Sequence, residues 1–462
     1  MPESSGSGSS GSGSSGPGLL DLAERVVAQA RPGEQVEAYL GRSSRTEVKV
    51  FGGEVESLSS ADTAGIGVRV VIDGRQGFAY AGSLDEALLA EVLAEARDNA
   101  GFGTVDEFLG LVAPDGVDPA DLDLFREELA RFPTDRKVQL ALDIDRATRS
   151  ADPRIRGLES AAYSDSSSES AIASSEGIRT TGRRTNCSVW AEALAGEGTE
   201  TQTGYGYSVG RRPEDLDIDK AAADAADRAT RMLGARKPAS KRLTVVFDPK
   251  VTASFLGVLS STLSAESAIK GRSLFAGRDG EQVAVPLVTL VDDPTEPEAY
   301  GASRFDAEGL ASRRNLLIDD GVLAGFLHNS YTGRRTGRAS NAAAVRGGYM
   351  TGPGVGSRAL TLTPGDRSQD ELLADTGEGL LVQSVSGLHS GVNPVSGDFS
   401  VGVEGLMVRG GERAEPVREA TIASTIQRML QDVVAVGGDR EWLPGGAAGV
   451  TLVIRDVTLS GS

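Results

Sequence analysis

With 462 residues, the chain is long enough for two or three domains and an ample buried core. Its net charge of −19 argues against a general nucleic-acid binder, which needs a basic footprint, and against docking on an acidic membrane surface. The single cysteine, Cys187, excludes an intrachain disulfide, and 59 glycines promise many turns and hairpins.

Residues 1–17 are Gly/Ser-rich and read as a flexible tail outside any fold. "LLDLAERVVAQA" (19–30) has helical periodicity. "QVEAYLG", "TEVKVF", "EVESLSS" and "GIGVRVVIDGRQGFAYAG" follow as strands, the last a hairpin turning near Asp73-Gly74. Helices are expected at 84–100 and 135–151, a strand meander over 155–210, and a further helix at 215–233. The N-terminal half, 18–235, is thus expected to pack helices on a largely antiparallel sheet, an α+β pattern.

The basic segment "GARKPASKR" (234–242) marks a boundary, and 240–462 is expected to form a β-rich C-terminal domain with helices. It opens with "LTVVFD" as a buried strand, followed by the apolar helical run in "FLGVLSSTLSAESAIKGRSLF" (255–275), with Pro249 near a helix start. Hairpins are expected at Asp319-Asp320-Gly321 and at Gly410-Gly411. Residues 419–437 read as mostly helical, and "GVTLVIRDVTLSG" closes the chain as a strand. No apolar run approaches the ~18 residues of a spanning helix, and the N-terminus lacks a secretory signal pattern. A soluble cytoplasmic protein is expected.

Chemistry is sparse. The histidines are His328 and His389, and neither an H-E-x-x-H nor a C-x-x-C occurs. His328 reads as a packed or surface residue, and His389, in a Gly/Ser loop, could contact substrate. "GYSVG" (206–210) matches a nucleophile elbow around Ser208, but a polar strand precedes it where the elbow needs a buried one. "RGGYMTGPGVGS" (346–357) lacks the Lys-Ser/Thr of a phosphate loop and reads as a mobile loop lining a cleft. Arg334, Arg335, Arg338 and Arg346 could form a solvated face or hold an acidic substrate end. Cys187 reads as a buried structural thiol.

Three C-terminal stretches carry a resemblance: 304–337, "SGLHSGVNPVSGDFSVGVEGLMVRGGE" (386–412), and 419–439. With 45–82 they resemble the TldD/PmbA peptidase family, most closely its PmbA (TldE) branch. The resemblance implies a paired-subunit cytoplasmic zinc peptidase that cleaves unfolded or leader-bearing peptides. Its TldD subunit carries an H-E-x-x-x-H helix and a cysteine ligand. The segment "IKGRSLF" (269–275) is similar to the one after that helix. Counted back without gaps, the motif positions fall on Leu256, Gly257, Val258, Leu259, Ser260 and Ser261. The resemblance therefore implies a non-catalytic subunit with no cofactor of its own, zinc in a TldD-like partner, and peptide as substrate. His389, Gly391, Asn393, Asp398 and Arg335 are the candidate cavity-lining residues. Two other readings stay open: a self-sufficient homodimeric peptidase in which His328, His389 and carboxylates converge, and a non-enzymatic peptide-binding scaffold.

Overall fold

The computed structural model describes residues 18–461; the tail expected at 1–17 lies outside them. The N-terminal unit runs α1 (Leu19–Val27), β1 (Glu34–Phe51), β2 (Glu54–Ile72), β3 (Arg75–Ala81), α2 (Glu86–Gly101), α3 (Glu127–Ala130), α4 (Thr134–Ala151), β4 (Ile155–Ser174), β5 (Arg179–Ala195), β6 (Gln202–Gly210) and α5 (Ile218–Thr230). Its strands form one antiparallel sheet in the order β3-β2-β1-β4-β5-β6. Alternation along each strand gives the sheet two different faces. Val36, Ala38 and Leu40 of β1 and Ile66, Val68 and Val70 of β2 bury against α1 and α2. Val189, Ala191 and Ala193 of β5 bury against α4 and α5. The glycines of β6 show why the helices sit so close: a Cβ on Gly204 would lie 2.2 Å from the Ala225 carbonyl oxygen.

The stretches read as separate short strands at 35–51 fuse into one strand of 18 residues, β1. The expected turn at Asp73-Gly74 forms, with both residues at positive φ. The first part of β2, through Ala64, pairs with β1 alone, because β3 joins only from Ile66 onward.

The C-terminal unit begins with β7 (Lys241–Phe247), α6 (Pro249–Thr262), α7 (Ala265–Ile269), β8 (Leu290–Asp292), β9 (Asn315–Asp319), β10 (Val322–Leu323) and α8 (Ser330–Thr336). It continues through β11 (Ala344–Val345), β12 (Gly354–Val355), β13 (Leu360–Leu362), α9 (Gln369–Thr376), β14 (Gly379–Ser386), α10 (Leu388–Gly391), β15 (Asp398–Arg409) and β16 (Glu412–Thr425). The last elements are α11 (Ile426–Gln431), β17 (Val433–Val436), β18 (Glu441–Trp442), β19 (Ala448–Gly449) and β20 (Leu452–Ser460). The main sheet has the order β16-β15-β14-β7-β20-β17, and β16 also pairs with β20, so five strands close on themselves. Only β14 and β7 run parallel. Phe247, Phe255 and Phe399 meet edge-on in its core.

The helix expected over most of 419–437 is corrected. Residues through Thr425 belong to β16, six residues form α11, and β17 follows. Thr421, Ile422 and Ala423 each face a partner on both β15 and β20. Ladder pairing on two sides outweighs a helical-looking pattern, and β-branched Thr421 and Ile422 suit a strand.

Candidate functional site in the interdomain cleft

Helix α6 is built as its sequence dictates. The Asp248 side chain caps it by accepting from the Lys250 N–H at 3.1 Å, and Pro249 occupies the first turn. Val251, Phe255, Leu256, Leu259 and Leu263 point into the core. The run then breaks. Ser273 donates to the Thr262 carbonyl at 2.5 Å, and the Leu274 N–H donates to the Pro394 carbonyl at 3.1 Å. The segment that follows the helices and the 387–398 loop, read separately in the sequence, are therefore neighbours.

A zinc site does not fit these residues. Leu256 is 0% exposed within the apolar core, Gly257 offers no donor, and Ser261 is exposed and donates back to the Val258 carbonyl. No cluster of three or more His, Cys, Asp or Glu able to hold a metal forms among the described residues, so the convergence that a self-sufficient metal site needs is not formed. His328 is buried, with its Nδ1 unpartnered, and burial holds its imidazole below the ordinary pKa. His389 is exposed on α10.

The other sequence candidates divide between two places. Gly391, Asn393 and Asp398 share the loop with His389. The Asn393 side chain accepts from Val395 N–H, Asp398 accepts from the Ser396 hydroxyl, and a Cβ on Gly391 would lie 2.0 Å from the Ser400 carbonyl oxygen. Arg335 lies elsewhere, on α8, donating to the Tyr331 hydroxyl at 2.8 Å beside Asp106 of the N-terminal unit. Ser208 sits within β6 opposite Val189, not on a turn. Cys187 is buried, and desolvation raises its thiol pKa.

A cavity of about 680 Å³ opens between the sheet and the C-terminal unit. One wall is the helix-free face of the sheet: Ser168, Ser170 and Ile172 of β4, with Thr180, Gly182 and Arg184 of β5. The other is made of the segments around Tyr300–Ala307, Ala344–Arg346 and Ser357–Arg358. The 346–357 segment lines it at both ends, while Tyr349 between them packs on β2, where a Cβ on Gly67 would lie 2.2 Å from the Tyr349 carbonyl oxygen. The Ser260 hydroxyl of α6 is 2.7 Å from that of Ser357, so the helix touches the cleft wall.

Beside the cleft a buried ion network ties the two units. Glu37 and Arg69 are register partners on β1 and β2, and Arg69 donates to Glu37 at 2.7 Å. Arg346 donates to the other Glu37 oxygen at 2.7 Å and stacks over the Tyr39 ring. Glu308 lies 3.7 Å from Arg69 and accepts from the Ser330 N–H and hydroxyl.

Asp306, also in the cleft wall, accepts from the backbone N–H groups of Glu308, Leu310 and Ala344. Burial, then the Glu308 carboxylate, push its pKa up to about 6, against the pull of Arg358 and the backbone donors. Because the folded value lies above the ordinary 3.8, protonated Asp306 favours the fold. That stabilisation is complete below about pH 3.8 and is lost as pH rises through about 6. A carboxyl ¹³C titration should place the Asp306 midpoint at about 6; a midpoint of about 4 would mean that the arginine and backbone donors outweigh burial.

Comparisons agree with this architecture. Residues 36–100, 127–233 and 240–461 match, in turn, domain 1, the central domain and the C-terminal domain of the PmbA/TldA metallopeptidases. The chain is 27% identical over 434 residues to the metalloprotease PmbA of Escherichia coli O157:H7, covering 91% of this chain and 93% of that protein. A metalloprotease of Methanothermobacter thermautotrophicus is 28% identical over 430 residues, covering 91% and 90%. The crystal structure of TldE from Thermococcus kodakarensis superposes with a TM-score of 0.87 at 22% identity, covering 96% of this chain and 99% of that one. No helix among the described residues is long and apolar enough to cross a membrane. Fold, domain matches and relatives along nearly the whole chain agree: the protein belongs to the TldD/PmbA metallopeptidase family.

Proposed function

We propose that the chain is the PmbA/TldE-type, non-catalytic subunit of a cytoplasmic two-subunit zinc peptidase acting on unfolded or leader-bearing peptides. A TldD-like partner carries the metal, and this chain holds extended peptide in its interdomain cleft. The observation that carries the reading is α6. Where the catalytic branch needs two histidines and a general base, this helix has a core leucine, a glycine and a self-bonded serine. Without a carboxylate at Gly257, no side chain there can take a proton from an attacking water. The helix keeps its place against the cleft through Ser260 and Ser357, which supports a retained substrate-facing role.

The test is elemental analysis. The protein purified alone and mildly dialysed is expected to carry almost no zinc. Mixed with a TldD-like protein bearing the H-E-x-x-x-H helix, it is expected to yield a zinc-containing complex that cleaves an unfolded peptide. About one zinc per isolated chain would overturn the assignment, and His389 and His328 would then be the first residues to replace.

A further inference from the structure

The cleft holds positive charge that the fold itself does not neutralise. Five arginines line it against two aspartates, in a chain whose net charge is −19. Arg183 and Arg346 have carboxylate partners, Glu169 and Glu37. Arg184, Arg304 and Arg358 form no ion pair among the described residues. Arg184 donates one Nη2–H to the Ala302 carbonyl, Arg304 donates to the Ala120 carbonyl at 3.3 Å, and Arg358 donates to three neutral oxygens. The Arg358 Nε–H is buried and has no partner. Asp123 pairs with Arg126, and Asp306, with the buried Asp292, acts on Arg358, so the cations left without an opposing carboxylate in the cleft, among the described residues, are Arg184 and Arg304. Burial, with Arg211 and Arg358 nearby, lowers the Arg184 pKa to about 10, as expected for a cation lacking an anion.

We propose that Arg184 and Arg304, with Arg358 behind them in the wall, form an anion subsite that takes a carboxylate of an extended peptide lying in the cleft. The proposal rests on the peptide-holding reading above. A guanidinium fork matches a planar carboxylate, and such charge-assisted bonds are the strong ones. The cavity of about 680 Å³ exceeds what a lone ion needs. Around the arginines, Tyr39, Phe125, Ile172, Tyr300 and Val345 offer surface for side chains. The ligand expected is therefore a carboxylate with an apolar chain attached.

The experiment is calorimetric titration of the full-length chain with a short unstructured peptide lacking acidic residues, with its C-terminus either free or amidated. The free acid is expected to bind about tenfold more tightly. Arg184→Gln is expected to remove the difference and leave the amide's affinity in place. Arg304→Gln, at an exposed position, is a second variant that should weaken the acid severalfold and spare the amide. An amidated peptide ending in Glu that recovers the tight binding would locate the carboxylate on a side chain instead of the terminus, and it supports the subsite equally. Inorganic phosphate competing with the acid, and not with the amide, supports it too. Equal affinity for acid, amide and Glu-ended peptides would overturn the subsite alone. Binding of none of them would overturn the peptide-holding reading as well.

Discussion

Replacing Glu37 with alanine is expected to destabilise the protein by about 3–5 kcal/mol. The residue is 2% exposed and holds two arginines at once, Arg69 from the neighbouring strand and Arg346 from the C-terminal unit. Burial raises the Glu37 pKa, but Arg69 and Arg346 outweigh it, so the carboxyl titrates below its ordinary value. A depressed folded pKa means that the contribution is present above the unfolded value of 4.5 and is lost as pH falls through the folded one. Removing the carboxylate leaves Arg69 facing Glu308 alone and Arg346 with the Ala307 carbonyl and no carboxylate partner among the described residues. Urea unfolding at neutral pH measures the loss. A midpoint matching that of the unmodified protein would show that water or Glu308 compensates fully.

Gly449→Ala is expected to cost about 3 kcal/mol or more. An added Cβ would lie 1.7 Å from the Pro249 carbonyl oxygen and 2.4 Å from its carbon, both backbone atoms. The first turn of α6 has to move, and with it the contact between Ser260 and Ser357. Gly257→Ala on the same helix is the control. Nothing lies within 4 Å of its Cβ position, so this change is expected to stabilise the helix by about 0.5–1 kcal/mol. Thermal unfolding of the two variants should shift in opposite directions; equal shifts would mean that the tight approach of β19 to α6 relaxes freely.

The parts of the fold that a sequence can announce are those with local causes. The amphipathic helices α2, α4 and α5 carry their own periodicity, and the turns at Asp73-Gly74, Asp320-Gly321 and Gly410-Gly411 carry residues suited to positive φ. The end of β16 was not legible, because its strand character comes from β15 and β20, partners at a distance. The same holds for the length of β4, whose serine-rich centre, Ser164–Ser170, pairs on both sides. In the site, the composition of α6, without histidine or cysteine, was readable residue by residue. The cleft was not: Arg184, Arg304 and Arg358 come from β5, the 300–307 segment and the approach to β13. The available signal was faint, a surplus of arginine in an acidic chain. In sequence Arg346 stands close to Arg334, Arg335 and Arg338, yet its partner is Glu37 on the first strand.

Arg346 belongs to both the ion network and the cleft wall, and that double membership governs how a guest is received. Swinging the two units apart would break the buried Arg346–Glu37 pair that spans them, which opposes opening of the cleft. For a peptide guest of the kind proposed above, the entropy of association would then fall on the incoming chain and hardly on the receptor. A chain with a free, unstructured run can surrender that freedom segment by segment as it threads in. On the peptide-holding role proposed above, a compact protein would have no such run to offer, and foldedness itself would be the property that this architecture senses.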